Sequence, residues 1–404
     1  MQVTTTSAFL VAVLLSVASL VSATPAAQVS ALEELFKSTN GHQWTGECGN
    51  GWASTTVPTC SWFGVTCDGS DNVIGLTLVQ CGLDGPLPLG LTALEHLQFL
   101  ALNFNSIRGP LPEWSSDFTE LVSISLFNNS ITGPLPGSWA NLVNVTSISL
   151  EYNAISGPLP DAWGNFSSNS LATLTLQHNA ITGPLPAAWG MYSLPQSITT
   201  LMLSHNAIDG ALPMEWFPFI SNTLGLSHNS LSGELPSWTG TSFSDMIGTL
   251  DLSYNQFSGV IPPWTGINQV SLLNISNNNL GGWIPASWTS MSYTTLDLSN
   301  NQLNGTLLAP WSGYVNYLHL QGNALSGDLS NFLNSFLSQT YTLDLSNNAF
   351  TGVLPLLTYS NWQCSNCECS LNLENNFLTG PISEEFCGVL SSVFFLAIPQ
   401  RNKC

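Results

Sequence analysis

Positive charge is what this chain most lacks. Lys37, Arg108, Arg401 and Lys403 are its only basic residues against 24 acidic ones, for a formal net charge of −20. Residues 109 to 400 contain neither Lys nor Arg. No nucleic acid and no anionic membrane surface is expected as a partner, because both are held by clustered cations that replace counterions. Acidic polysaccharide is disfavoured by the same Coulombic argument. A cationic protein, a neutral glycan or a divalent cation remains open. Cysteine is missing from the long middle of the chain: none of the nine lies between Cys81 and Cys364. Any covalent bracing is therefore confined to the two ends.

Catalytic signatures are also absent. There is no nucleophile elbow, phosphate loop or metalloprotease helix motif. Asp251, Asp297 and Asp344 recur inside LDLS, and paired carboxylates can do acid–base work. Their repetition at one column marks scaffold, since a catalytic site would break the repeat. The chain is read as a non-enzyme with no cofactor. CSNCEC near the C-terminus has metal-like spacing, but no second Cys or His pair completes four zinc ligands. A disulfide cap formed by Cys364, Cys367, Cys369, Cys387 and Cys404 is the better reading, and the odd total leaves one thiol free or bridged to another molecule.

A long apolar run occurs at the N-terminus, where MQVTTTSAFLVAVLLSVASLVSA has an apolar centre from Ala8 to Val21, with Val21 and Ala23 at the −3 and −1 positions of a cleavage site. It reads as a secretory signal. Its first residues carry no Lys or Arg, and a retained anchor is the alternative. Export makes disulfides expected.

What the chain has in abundance is one phrase. ISLFNNSITGPLPGSWA (124–140), ISLEYNAISGPLPDAWG (148–164) and LTLQHNAITGPLPAAWG (174–190) are followed by LMLSHNAIDGALPMEW and LDLSYNQFSGVIPPW. Aligned on the Asn of LxLxxN, a ladder runs through Asn105, Asn129, Asn153, Asn179, Asn206, Asn229, Asn255, Asn278, Asn301, Asn323, Asn348 and Asn376, with Cys81 in the same place earlier. The step of about 24 residues falls in the leucine-rich-repeat range. Each LxL predicts a short strand with both apolar residues inward. Stacked in parallel, these strands make one sheet lining a concave face. The ladder Asn is expected to be buried, its amide satisfying backbone groups in the turn. Cys81 stands there either as a small buried residue or as part of a cap disulfide.

In NxLxGxLP, Gly permits positive φ at a bend, and Pro ends the short extended piece because it cannot donate a hydrogen bond. Tryptophan then follows at 114, 139, 163, 189, 216, 238, 264, 288 and 311. These indoles are expected to form a spine under the convex side; a row of exposed sugar-stacking platforms is the alternative.

LxxLxLxxNxLxGxLP resembles the plant-type leucine-rich repeat. CSWFGVTCDGSDNVIGLTL (60–78) resembles the matching N-terminal cap, and ALEELFKSTNGHQW looks like its helix. The Trp after LP, as in LPEWSS (111–116), is more similar to the promastigote surface antigen family of kinetoplastid protozoa. That resemblance implies an exported antigen, surface-held or shed, that touches host proteins and cell surfaces. The chain departs from that family at its end: it has no Thr-rich spacer, and the tail GVLSSVFFLAIPQRNKC is short and ends polar. The cap resemblance, with its short loop, implies a Cys60–Cys67 bridge. The expected organisation is a signal at 1–23, an N-terminal cap at 24–75, repeats at 76–363 and a last repeat with a Cys-containing cap at 364–404. The expected fold is an α/β solenoid, a curved horseshoe with a parallel concave sheet and short extended or 3-10 convex segments.

One column stands out. Immediately before the ladder Asn come Tyr152, His178, His205, His228 and Tyr254 in consecutive units, with Phe104 two units earlier. Strand spacing sets neighbours about 5 Å apart. Such a row can bind a partner, respond to acid or hold a metal; SHN and SYN are also ordinary consensus variants. Sequons begin at Asn128, Asn144, Asn165, Asn274 and Asn304. A glycan at Asn274, between inward residues of a strand, would obstruct the concave face. The function expected is recognition of a protein ligand or cell-surface glycoprotein by a secreted or cell-surface protein. A plant-like receptor, a polygalacturonase-inhibitor type and a structural or ice-binding surface are the alternatives. N-terminal sequencing of the exported protein is expected to begin near Thr24, and an intact Met1 terminus contradicts the signal reading.

Overall fold

A computed structural model of the chain describes residues 24–114, 118–165, 171–191, 198–216, 222–238, 248–264, 269–308, 310–353, 369–379 and 394–397. The expected signal and four of the C-terminal cysteines, Cys364, Cys367, Cys387 and Cys404, lie outside these residues. The chain opens with an α-helix, Ala26–Ser38, which buries Ala31, Leu32, Leu35 and Phe36 on one side. This is the apolar stripe that a 3.6-residue period lays on one helical face. Cys60 is bonded to Cys67, as the cap resemblance implies. Cys48 is bonded to Cys81. Cys81 thus fills both readings given for it: it is fully buried at the ladder position and it closes the cap.

Fifteen strands form the first sheet. Val65–Cys67 pairs antiparallel with Val73–Thr77, and each later strand lies parallel on its predecessor as far as Phe394–Ala397. Inward leucines stay in register from unit to unit: Leu174, Leu201, Leu224, Leu250 and Leu273 pair in succession. The sheet is a leucine-rich-repeat solenoid, with 3-10 segments such as Gly137–Asn141 and Ala286–Ser290 on the far side. The xLxG pieces after the ladder Asn do more than the sequence implied. They form a second parallel ladder of twelve strands, from Asp84–Gly85 to Ala349–Thr351. Pro is tolerated because it sits at the strand end: Pro110 lies opposite Thr132 and Pro184 opposite Asp209.

Two side-chain systems tie one unit to the next. The ladder Asn bonds both to its own unit and to the one before. Asn206 accepts from the Ile181 amide (3.0 Å) and donates to the carbonyls of Leu176 (3.1 Å) and Leu203 (3.0 Å). The same pattern recurs at Asn255, and both asparagines also donate to the carbonyl two residues back, Ser204 and Ser253. Burial of the ladder is less uniform than expected: Asn255, Asn278, Asn301 and Asn348 are buried, and the others are half-buried. The tryptophans form the second system. All nine indoles of the spine are buried, which settles them as core rather than sugar platforms. Successive rings stack nearly parallel, as between Trp139 and Trp163 (6.4 Å, 5°) and between Trp189 and Trp216 (5.8 Å, 1°). In Trp139, Trp163, Trp189, Trp216 and Trp264 the indole N–H donates to the proline carbonyl of the previous unit's LP, as from Trp163 to Pro136 and from Trp189 to Pro160 at 2.9 Å.

Charge contributes little to this frame. Among the described residues the ion pairs are Arg108–Asp84 and His96–Glu120, all four side chains well exposed; such pairs are worth little. Removing one indole should therefore be felt directly. Trp189→Ala is expected to cost about 3–5 kcal/mol, read by chemical denaturation, through cavity formation and lost stacking. Asn255→Ala is expected to cost about 1–3 kcal/mol or more, because it strands buried backbone groups in two units. An unchanged denaturation midpoint for either variant would remove its system from the frame.

Candidate functional site

The residue before each ladder Asn sits where the chain turns out of the strand. Its own amide is held by the next unit, as from His178 to the Ser204 carbonyl (3.0 Å) and from His205 to the Ser227 carbonyl (2.9 Å). The turn requires left-handed backbone, with φ between 52° and 57° at Tyr152, His178, His205, His228 and Tyr254. That conformation costs an L-residue roughly 1–2 kcal/mol, least for Gly and Asn. Later units take the cheaper choice with Asn277, Asn300, Gly322, Asn347 and Asn375. Five consecutive units place a ring there instead.

Because the backbone repeats, the side chains leave in parallel. Ring centroids are 4.3 Å apart between Tyr152 and His178 and 4.2 Å between His178 and His205. The spacings continue at 4.2 Å from His205 to His228 and 4.1 Å from His228 to Tyr254, with planes within 12° throughout. The structure thus unites all five residues in one stack along the rim of the concave sheet. Tyr152 and Tyr254 are 48% and 50% exposed, His205 and His228 are exposed and His178 is half-buried. Phe104 does not join: it meets Phe127 edge-on at 5.0 Å, and Asn128 occupies the column between it and Tyr152. Parallel rings direct their nitrogen lone pairs alongside one another rather than to a common point. That is a continuous row of rings, not a ligand cage, and the described residues hold no group of three metal-binding side chains.

His205, in the middle, is the imidazole most affected by its neighbours. Partial burial holds it below the ordinary histidine range, the charges of His228 and His178 add to this, and Asp251 opposes. A base whose folded value is depressed stabilises the fold above its unfolded value, near 6.5. That contribution is lost as the pH falls through the folded value.

The sheet beside the rim presents two outward columns. The residue between the inward pair varies: Ser149, Thr175, Met202, Gly225, Asp251, Asn274, Asp297, His319 and Asp344. The residue just before the inward pair is more regular than expected, reading Ser123, Ser147, Thr173, Thr200, Thr223 and Thr249 before Leu272 breaks it. Asp251, Asp297 and Asp344 each accept the amide of the serine two residues on, so these carboxylates brace their own turns.

The sequons fall in different settings. Asn128 is half-buried in the left-handed column. Asn144 is exposed and donates to the Thr119 carbonyl at 2.5 Å. Asn274 lies on the concave strand Gln269–Asn274 and accepts from the Ser276 amide. Asn304 is exposed on the second sheet, and the side chain of Asn165 lies outside the described residues. One residue escaped the sequence reading. Trp283 is 74% exposed, whereas every other described tryptophan is buried. Its signal was available, since GGWIP stands where early units have GPLP.

Comparison with known proteins agrees with the fold. The family described as Leucine Rich Repeat matches residues 120–142, 247–266, 269–291 and 294–313. A rice protein, Leucine-rich repeat protein 1 of Oryza sativa subsp. indica, is 45% identical over 51 residues, covering 13% of this chain and 24% of that protein. Among solved structures, PEPR1-AtPEP1 is similar with a TM-score of 0.73 and 25% identity, over 93% of this chain and 55% of that one. The plant peptide hormone receptor RGFR1 in complex with RGF2 is similar with a TM-score of 0.56 and 26% identity, over 82% and 59% of the two chains. A plant ice-binding protein shares the fold with a TM-score of 0.59 and 24% identity, over 74% of this chain and 94% of that one. The chain thus spans over half the length of the chains in the PEPR1-AtPEP1 and RGFR1 structures and about a quarter of the rice protein. The repeats and the plant receptor likenesses together support a plant-type leucine-rich-repeat protein.

Proton NMR titration of the imidazoles is expected to show His205 titrating below the ordinary range and moving upward in the His178→Ala, His228→Ala double variant. No upward movement would leave burial alone as the cause.

Proposed function

We propose that this chain is an extracellular recognition protein that binds a peptide or protein partner along its concave sheet, with the stacked rim inside the footprint. The carrying observation is the run of five consecutive rings at a left-handed position where all the later described units use Asn or Gly. A repeat keeps costly conformations where the side chain has work to do. Aromatic rings already ordered by stacking offer contact area at low entropy cost. Two cap disulfides fit an oxidising, exported setting. Asp251, Asp297 and Asp344 on the neighbouring column, with a net charge of −20, favour a cationic partner. RGFR1, a structural likeness, is described with the peptide RGF2 bound. The tryptophan after LP supports host-protein contact of the kinetoplastid antigen kind as one subclass; the likenesses above are to plant proteins. The polygalacturonase-inhibitor reading is weaker, because Arg108 is the one Lys or Arg in the repeats to meet pectin.

A second reading has its own observation. Six successive Ser/Thr residues in register make a regular hydroxyl row on the concave sheet, and a plant ice-binding protein shares the fold. Against it, Leu272 and Tyr317 interrupt the row and the rings line its edge.

The test pans a displayed random peptide library against the folded protein at neutral pH. Basic binders are expected, with affinity falling about tenfold or more, or roughly 1.4 kcal/mol, in the His178→Ala, His205→Ala, His228→Ala variant. Binding should also shift between pH 5 and 7, about where imidazoles titrate. Equal affinity of wild type and triple variant at every pH would reduce the column to filler. Inhibition of ice recrystallisation without any selected peptide would favour the hydroxyl row.

A further inference from the structure

On the second sheet, the residue after each positive-φ glycine covers the glycine of the next unit. In early units it is proline: a Cβ on Gly133 would come within 3.3 Å of Pro110, and one on Gly210 within 3.2 Å of Pro184. Trp283 occupies this position against Gly305, where a Cβ would meet the indole Cδ1 at 2.6 Å and Nε1 at 3.0 Å. Covering a glycine does not call for an indole, since a proline ring suffices. Here the indole leaves most of its surface in water, beside Val260 (62% exposed) and Leu308 (45% exposed). With Ile284 and Pro285 these residues line an open groove of about 850 Å³ that contains no charged side chain. Exposed apolar surface concentrated in this way marks a contact.

The groove's edge identifies the contact. It is completed by Gly305 and Thr306, the second and third residues of the sequon Asn304-Gly305-Thr306. The strand register sets Gly281 beside Gln302 and Gly282 beside Leu303. Carried one residue further, it brings Trp283 level with Asn304, at a strand spacing of about 4.8 Å. Asn304 itself is exposed.

We propose that Asn304 carries an N-linked glycan and that the Trp283 groove seats its first sugars. In the modification, the Asn304 amide nitrogen attacks the anomeric carbon of a polyprenyl-diphosphate-linked oligosaccharide. The C–N bond forms as the C–O bond to the diphosphate breaks; the amide proton passes to the transferase base and the lipid diphosphate leaves. A pyranose ring has an apolar C–H face and hydroxyls at its edge. The face fits a flat indole, and the hydroxyls stay in water, as an open groove allows. The uncharged lining suits a neutral sugar. Attachment at the groove's edge holds the sugar there at an effective concentration on the order of millimolar, which a free partner must exceed. Export enters only as access to the transferase.

The test supplies that access by expressing the full chain behind a host secretory leader in eukaryotic cells, so that failure of the native signal cannot be mistaken for failure of the site. Glycopeptide mass mapping is expected to find Asn304 occupied. Oxidation by N-bromosuccinimide, mapped by peptide mass, then reads Trp283 against the buried Trp189. Trp283 is expected to oxidise several-fold more slowly in the glycosylated protein than in Asn304→Gln, with Trp189 unchanged. Should that variant fail to fold, Thr306→Ala or enzymatic deglycosylation of the folded protein gives the same comparison. An unmodified Asn304 in secreted protein overturns the proposal, and so does equal oxidation of Trp283 with and without the glycan.

Discussion

A single asparagine amide in each unit holds this architecture in register. Its carbonyl oxygen takes an amide from the previous unit, and its nitrogen serves carbonyls on both sides of the joint, as Asn206 does with Ile181, Leu176 and Leu203. Among uncharged side chains only the longer Gln also offers an acceptor and two donors in one plane. Backbone groups that would otherwise be buried without partners become the links between units. The price is paid one residue earlier, where the chain must enter left-handed backbone to deliver the amide.

That local constraint generates the candidate site. A repeated backbone conformation projects a repeated side-chain direction, so residues at the strained position line up along one rim. Asn or Gly there relieves the strain and leaves little to contact. Tyr and His leave the strain in place and add a ring, and five in succession stack at 4.1 to 4.3 Å. The candidate surface is thus a by-product of how the units are joined, and its extent is set by which units carry rings.

The convex half follows the same logic with opposite tolerance. A tryptophan after LP fills the space between units, and in several units its N–H also finds a proline carbonyl of the unit before, as Trp163 and Trp189 do. Packing and hydrogen bonding therefore agree, and the chain has little need of ion pairs. With so few charges and nearly all of them acidic, long-range attraction acts outward, on partners, rather than inward on stability. Departures from the repeat then carry the specific information: rings at the rim, Trp283 on the second sheet.

The period, the inward leucines, the ladder asparagines and the tryptophan spine were all legible in the sequence, because each obeys a local rule that returns about every 24 residues. The five-residue column was legible as a column, since neighbours in a stack are one period apart. Cys60–Cys67 could be anticipated from the short loop and the cap resemblance; Cys48–Cys81 could not, because spacing alone does not determine pairing. The second sheet was hidden by its prolines, which argue against strands until the chain shows them at strand ends. Trp283 was marked in the sequence only by GWIP standing in place of GPLP, and the fold shows that it faces water. Periodicity determined the solenoid by itself, because every unit solves the same burial problem as its neighbours. Which side chains face water, and which of them touch, was decided by stacking, because those relations exist only between units.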